Sequence, residues 1–162
     1  MLKRYHFYIV LETPHVIVGA AIATKIANPL LSIPLAFGSH FLLDRIPHWN
    51  PHLNTEMKKH GKPTKKSSFI VVADVCTALF VGFFIASKAM PDMAHAATIL
   101  AASFAAVLPD VMEGPYFFLG IKSKFIDKWI AFQKSIQADT NFVPGILTQV
   151  LTVAAAFWWI FA

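Results

Sequence analysis

The sequence predicts an all-α membrane protein. It reads as one domain over 1–162, with about five membrane-embedded helices and one amphipathic interfacial helix. Three observations predict this. Hydrophobic residues make up 56% of the chain and charged residues 14%, whereas a soluble domain carries about 25% charged residues. Mean hydropathy is +0.56. The net charge of +5 is spread over short loops between apolar runs, a pattern that suits anionic lipid headgroups and not nucleic acid. The single Cys76 lies inside an apolar run, so no disulfide framework is expected.

The chain opens on Lys3, Arg4, Tyr5, His6, Phe7 and Tyr8, which by composition form an interfacial anchor. The stretch lacks the apolar core and small-residue site of a cleavable signal peptide. Thr13 is placed to cap a first helix, Pro14 fits its first position and His15 its first turn. The apolar run that follows, 16–27, is rich in Gly and Ala, which lets helices approach closely in lipid. At about a dozen residues it is short for a span of roughly 20, so a buried helix stopping near Asn28-Pro29 is expected.

A second helix is expected over 29–46, kinked at Pro34 and ended by Pro47. The loop 49–66 holds Lys58, Lys59, Lys62, Lys65 and Lys66 and is the most polar stretch. A third helix over 67–87 is long enough to span and carries Asp74. A fourth over 93–112 ends in Leu108-Pro109-Asp110, with Glu113 close behind and Gly114-Pro115 as its breaker. The stretch 116–137 is amphipathic, with Phe125, Trp129 and Ile130 interleaved with Lys122, Lys124 and Lys128. It suits a helix in the membrane surface, or one covering a site. A last apolar helix over 142–162 carries Trp158 and Trp159 near its outer end. The lysine-rich loops place 49–66 and 121–135 in the cytoplasm and the 88–92 turn outside.

The chemistry centres on Gly38–His52, GSHFLLDRIPHWNPH. His40, Asp44 and His48 recur every four residues, which on a helix stacks them on one face. A carboxylate and two imidazoles on one face are a ready metal shell. The bland alternative is a polar helix end at the water boundary. The predicted topology adds weight to the metal reading. Glu12 and His15 start the first helix, His40, Asp44 and His48 finish the second, Asp74 begins the third, and Asp110 and Glu113 finish the fourth. All eight fall at one depth, near the cytoplasmic boundary. A charge within a span costs a few kcal/mol unless paired or metal-bound, and a divalent cation shared between helices supplies the partner.

The His15 region, the SHFLLDRIPHW stretch and the LPD of the fourth helix resemble the membrane-bound metal-dependent hydrolases of bacteria and archaea. They are also similar to the pattern of zinc-dependent phospholipase C-like proteins. The likeness covers about 12–113. It implies a multi-pass protein of a prokaryotic inner (plasma) membrane, with His15, His40, Asp44, His48 and Asp110 at metal-ligand positions. Those hydrolases often show a Pro-Asp-x-Asp-His run. Here Pro109-Asp110 is followed by Val111-Met112-Glu113, which leaves the number of metals open.

The expected function is a membrane-embedded metal-dependent hydrolase acting on a phosphate or ester bond of a lipid, with the site toward the cytoplasm. Zinc suits a mixed His and Asp shell, with manganese or iron as alternatives. Asp74 or Glu113 is the expected general base. A metal or proton transporter and a non-catalytic scaffold are the rival readings. A transporter needs access from both faces, and the far half of the bundle offers few polar groups.

Overall fold

The computed structural model describes residues 11–162. The interfacial anchor expected around Lys3 to Tyr8 lies outside the described residues. Among those described the fold is all-helical, with eight helices: α1 (Glu12–Lys25), α2 (Pro29–Leu43), α3 (Leu53–His60), α4 (Lys65–Ser87), α5 (Met93–Val111), α6 (Gly114–Leu119), α7 (Lys124–Ile136) and α8 (Phe142–Phe161).

Three of these, α4, α5 and α8, are long and apolar enough to cross a membrane, fewer than the five embedded helices expected. The reason is length. At a rise of about 1.5 Å per residue, α1 with 14 residues and α2 with 15 fall short of a hydrocarbon core roughly 30 Å thick. Both are nevertheless apolar. α1 is the hub of the bundle, packing against α2, α4, α5 and α8.

Small residues make that hub possible. Ala20, Ala21, Ala23, Ala36, Ala102 and Ala106 are buried together around Ile17 and Ile99. A Cβ on Gly19 would stand 2.8 Å from the Ala102 carbonyl oxygen and 2.8 Å from the Ala106 Cβ, so only glycine lets α1 and α5 come this close. α4 and α8 turn apolar surface outward, with Phe80, Phe83, Val150 and Leu151 exposed. Exposed apolar faces on helices of this length and composition are consistent with a membrane protein.

Local chemistry sets several boundaries differently from expectation. α2 begins where the Asn28 side chain accepts from the Leu30 N–H at 3.0 Å. It ends at Leu43, three residues before the expected Ile46, and tightens into i→i−3 bonds from Arg45 to Leu42 and from Ile46 to Leu43. Pro47 disfavours helical backbone just before it. The polar loop contains α3, whose left-handed C-cap at Gly61 has φ 70°. Gly114-Pro115 does not simply break a helix; it opens α6, with Pro at the position where a missing N–H costs nothing. The expected helix over 116–137 is two, α6 and α7, because Gly120 turns the chain at φ 66°.

Candidate metal centre

α1, α2, α5 and α7 bring their polar residues to one end of the bundle. His15, His40, Asp44, His48, Asp110, Glu113 and Gln133 are all buried there. Asp44 Oδ1 lies 3.6 Å from His15 Nε2, and Asp44 Oδ2 lies 3.5 Å from His40 Nε2. His40 Nε2 is also 3.6 Å from Asp110 Oδ1. The His15 and His40 rings face one another with centroids 4.4 Å apart.

His40 and Asp44 are one turn apart at the end of α2, as their spacing requires. His48 does not share that helix face. It lies beyond Pro47, where its backbone pairs with the 138–140 segment: the His48 N–H donates to the Ala138 carbonyl at 3.1 Å, and the Thr140 N–H donates to the His48 carbonyl at 3.1 Å. Ala138 also donates to the Asp44 carbonyl at 2.8 Å. Three backbone hydrogen bonds thus hold the turn that carries Asp44 and His48.

The imidazoles are oriented from behind. The His40 Nδ1–H donates to the Ala106 carbonyl at 2.8 Å, and the His48 Nδ1–H donates to the Ile46 carbonyl at 2.6 Å. A ring whose Nδ1–H is held by a carbonyl presents Nε2 outward, the second-sphere arrangement typical of metal-ligating histidine. Burial pushes the His48 imidazole toward its neutral form, the Ile46 carbonyl opposes this and His40 adds to it. His40 Nε2 faces three oxygens: Gln133 Oε1 at 3.1 Å and the two carboxylates.

Gln133 closes the cluster, and the sequence reading did not single it out. Its amide donates to Asp110 Oδ1 at 3.0 Å and to Glu113 Oε1 at 3.1 Å. It comes from α7, which covers the site and is anchored by the Trp129 indole N–H donating to the Pro109 carbonyl at 2.9 Å. A signal for it existed. Gln133 sits three residues after Ile130 and four after Trp129, so it is a polar residue on the inward face of an amphipathic helix.

Asp74 takes a different place from the one expected for a general base. Its carboxylate accepts from the Glu12 N–H at 2.5 Å and from the Thr13 hydroxyl at 2.6 Å. A carboxylate at a helix N-terminus satisfies free N–H groups and complements the dipole. Thr13, expected as the cap of α1, instead donates to Asp74. Glu113 is within the cluster. Burial and the neighbouring Asp110 push its carboxyl up to about 8, and the Gln133 amide only partly offsets them.

Among the described residues, no three His, Cys, Asp or Glu side chains already form a coordination shell. The groups close on one another and on Gln133. Their chemistry still fits a cation. Both Asp44 oxygens, Asp110 Oδ2, His15 Nδ1 and His48 Nε2 are buried with no hydrogen-bond partner among the described residues. A buried polar atom left so costs about 1–3 kcal/mol, and these five belong to four residues in one cluster. A cavity of about 20 Å³ beside the cluster, lined by His15, His48 and Gln149 but not by Asp44, His40 or Asp110, has room for one water.

Comparison of the chain with protein-family models, with curated proteins and with solved structures returns no match.

Proposed function

We propose that the protein is a membrane-embedded, metal-dependent hydrolase of a phosphate or ester bond in a lipid-like substrate. The observation that carries this is the set of unpartnered acceptors on Asp44, Asp110, His15 and His48 within one buried cluster. His15, His40, Asp44, His48 and Asp110 would hold the ion. Two carboxylates with imidazole nitrogens suit zinc, and also manganese or iron. When bound, the ion supplies a Lewis acid that activates water and polarises the bond to be cleaved.

The chain's own residues do the rest. The Ala106 and Ile46 carbonyls fix the His40 and His48 rings. Glu113, buried beside Asp110 with its carboxyl raised to about 8, holds a proton near neutral pH and gives it to the leaving group. Gln133 holds Glu113 and Asp110 in register through one amide. α7 excludes bulk water, which strengthens every charge interaction beneath it. Lys58, Lys59, Lys62 and Lys122 are exposed and draw anionic substrate toward this end of the bundle.

The test is elemental analysis of protein purified without chelator after zinc or manganese supplementation. One or two equivalents of divalent metal are expected; metal-free, folded protein would count against the reading and in favour of a polar scaffold. We also infer that the site end faces the cytoplasm, from the lysines of 58–66. Cysteines placed at Thr55 and Ala89 in a Cys76→Ala background report this. An impermeant thiol reagent on intact cells should label Ala89→Cys and spare Thr55→Cys; the reverse pattern inverts the topology.

A further inference from the structure

A groove of about 340 Å³ runs between α4 and α5 on the floor formed by α1. Its volume falls in the range of ligand pockets, roughly 300–1,000 Å³. Val75, Leu79 and Phe83 form one wall and Leu100, Phe104 and Val107 the other. Gly82 and Ala78 give it depth. α4 and α5 are both long and apolar enough to cross a membrane, so the groove opens sideways into the hydrocarbon. Leu79, Phe83 and Phe104 on its rim are more than half exposed, at 57%, 59% and 56%.

Two buried polar atoms on its lining have no partner among the described residues: Ser103 Oγ and Glu12 Oε2. Thr24, Thr77 and Thr98 each donate to the carbonyl four residues earlier in their own helices, at 2.8, 2.8 and 2.9 Å. That is the usual resort of a hydroxyl in an apolar helix. Ser103 does not do so, and its donor is left beside the groove. The Glu12 end adjoins the polar cluster, since Glu12 lies within electrostatic reach of Asp110, Asp74, Asp44 and Glu113.

We propose that this groove binds one acyl chain of a membrane glycerophospholipid, entering laterally between α4 and α5 with its head toward Glu12 and the buried cluster. The apolar walls take the hydrocarbon, and the Ser103 hydroxyl donates to the acyl ester carbonyl. The direction of the head rests on the hydrolase reading above; the chain site itself does not. The groove would hold substrate sideways from the bilayer, so no part of the chain crosses water.

The experiment uses the full chain in nanodiscs containing phosphatidylglycerol with a diazirine near the end of one acyl chain. Crosslinks are mapped by peptide mass spectrometry. Labelling of Leu79, Phe83 and Phe104 should exceed that of Leu147, Val150 and Leu151, the lipid-facing residues of α8, by about fivefold or more, the signature of a site and not of bulk lipid. Ser103→Leu, which fills the groove, should remove that excess while leaving the α8 labelling unchanged. Should Ser103→Leu fail to fold, Leu79→Trp on the exposed rim serves the same purpose. Equal labelling of the groove and of α8 overturns the proposal, as does an excess that survives filling. A hydrolysis assay on the same wild-type protein separates the two readings. Groove labelling without hydrolysis leaves the chain site standing and removes the hydrolase; hydrolysis without groove labelling does the opposite.

Discussion

The Asp44 carboxylate stands 3.5 Å from His40 Nε2 and 3.6 Å from His15 Nε2, yet among the described residues neither of its oxygens receives a hydrogen bond. An acidic group fully enclosed and undonated is costly as a carboxylate unless a cation meets it. Asp44→Asn keeps the shape and removes the charge. With zinc at about 100 times its dissociation constant, wild-type protein should gain about 2.7 kcal/mol in thermal unfolding. Asp44→Asn should gain far less, and should lose hydrolysis. Lys88→Ala, at the opposite end of the bundle, should behave as wild type in both. A zinc response in Asp44→Asn equal to wild type moves the centre elsewhere.

Gln133 stands between the carboxylates in the place where a positive charge would serve. Its NH₂ carries only partial charge but bridges Asp110 and Glu113. Gln133→Ala leaves both acceptors short of a donor, at a cost of about 1–3 kcal/mol each at most. A bound cation would take over the bridging, so the loss should shrink when zinc is present. Calorimetric unfolding of Gln133→Ala with and without zinc measures this. An identical penalty in both conditions would mean that the amide and the metal do not share these carboxylates.

What the sequence disclosed about this site follows the range of each interaction. His40 and Asp44 are a local pair, so their spacing alone placed them one turn apart. The structure brings His15 to Asp44 and His40 to Asp110, side chains that the sequence places near helix ends. His48 lies off the helix face because Pro47 stops α2 first, and its burial depends on pairing with 138–140, nearly a hundred residues away. From its sequence position Asp74 is expected to share a cation with the other acids, or to act as a general base. Its partners, the Glu12 N–H and the Thr13 hydroxyl, are about sixty residues distant, and no local pattern announces a cap supplied by another helix. α3 is eight residues long and too polar to show against its surroundings.

The α3–α4 junction carries a pH dependence separate from the buried cluster. Burial raises the Glu56 carboxyl, but the Thr64 N–H and the Ser67 and Thr64 hydroxyls outweigh it and hold the group below its usual value. The Thr64 N–H donates at 2.7 Å, the Ser67 hydroxyl at 2.7 Å and the Thr64 hydroxyl at 3.0 Å. These bonds tie α3 to the first turn of α4, where Thr64 also accepts from the Ser67 N–H at 3.2 Å. A carboxyl depressed in the folded state contributes stability that is fully present above its unfolded pKa, about 4.3. That stability is lost as pH falls through the lower, folded value. Glu56 is only partly buried, so solvent screening keeps the effect small. The protection factors for hydrogen exchange at the N–H groups of Thr64 and Ser67, taken against the intrinsic rate at each pH, should therefore be high near neutral pH and fall below about pH 4. In Glu56→Gln the same amides should exchange faster at neutral pH and show no step in that window. Acid-sensitive exchange that persists in Glu56→Gln would assign the step to a different group.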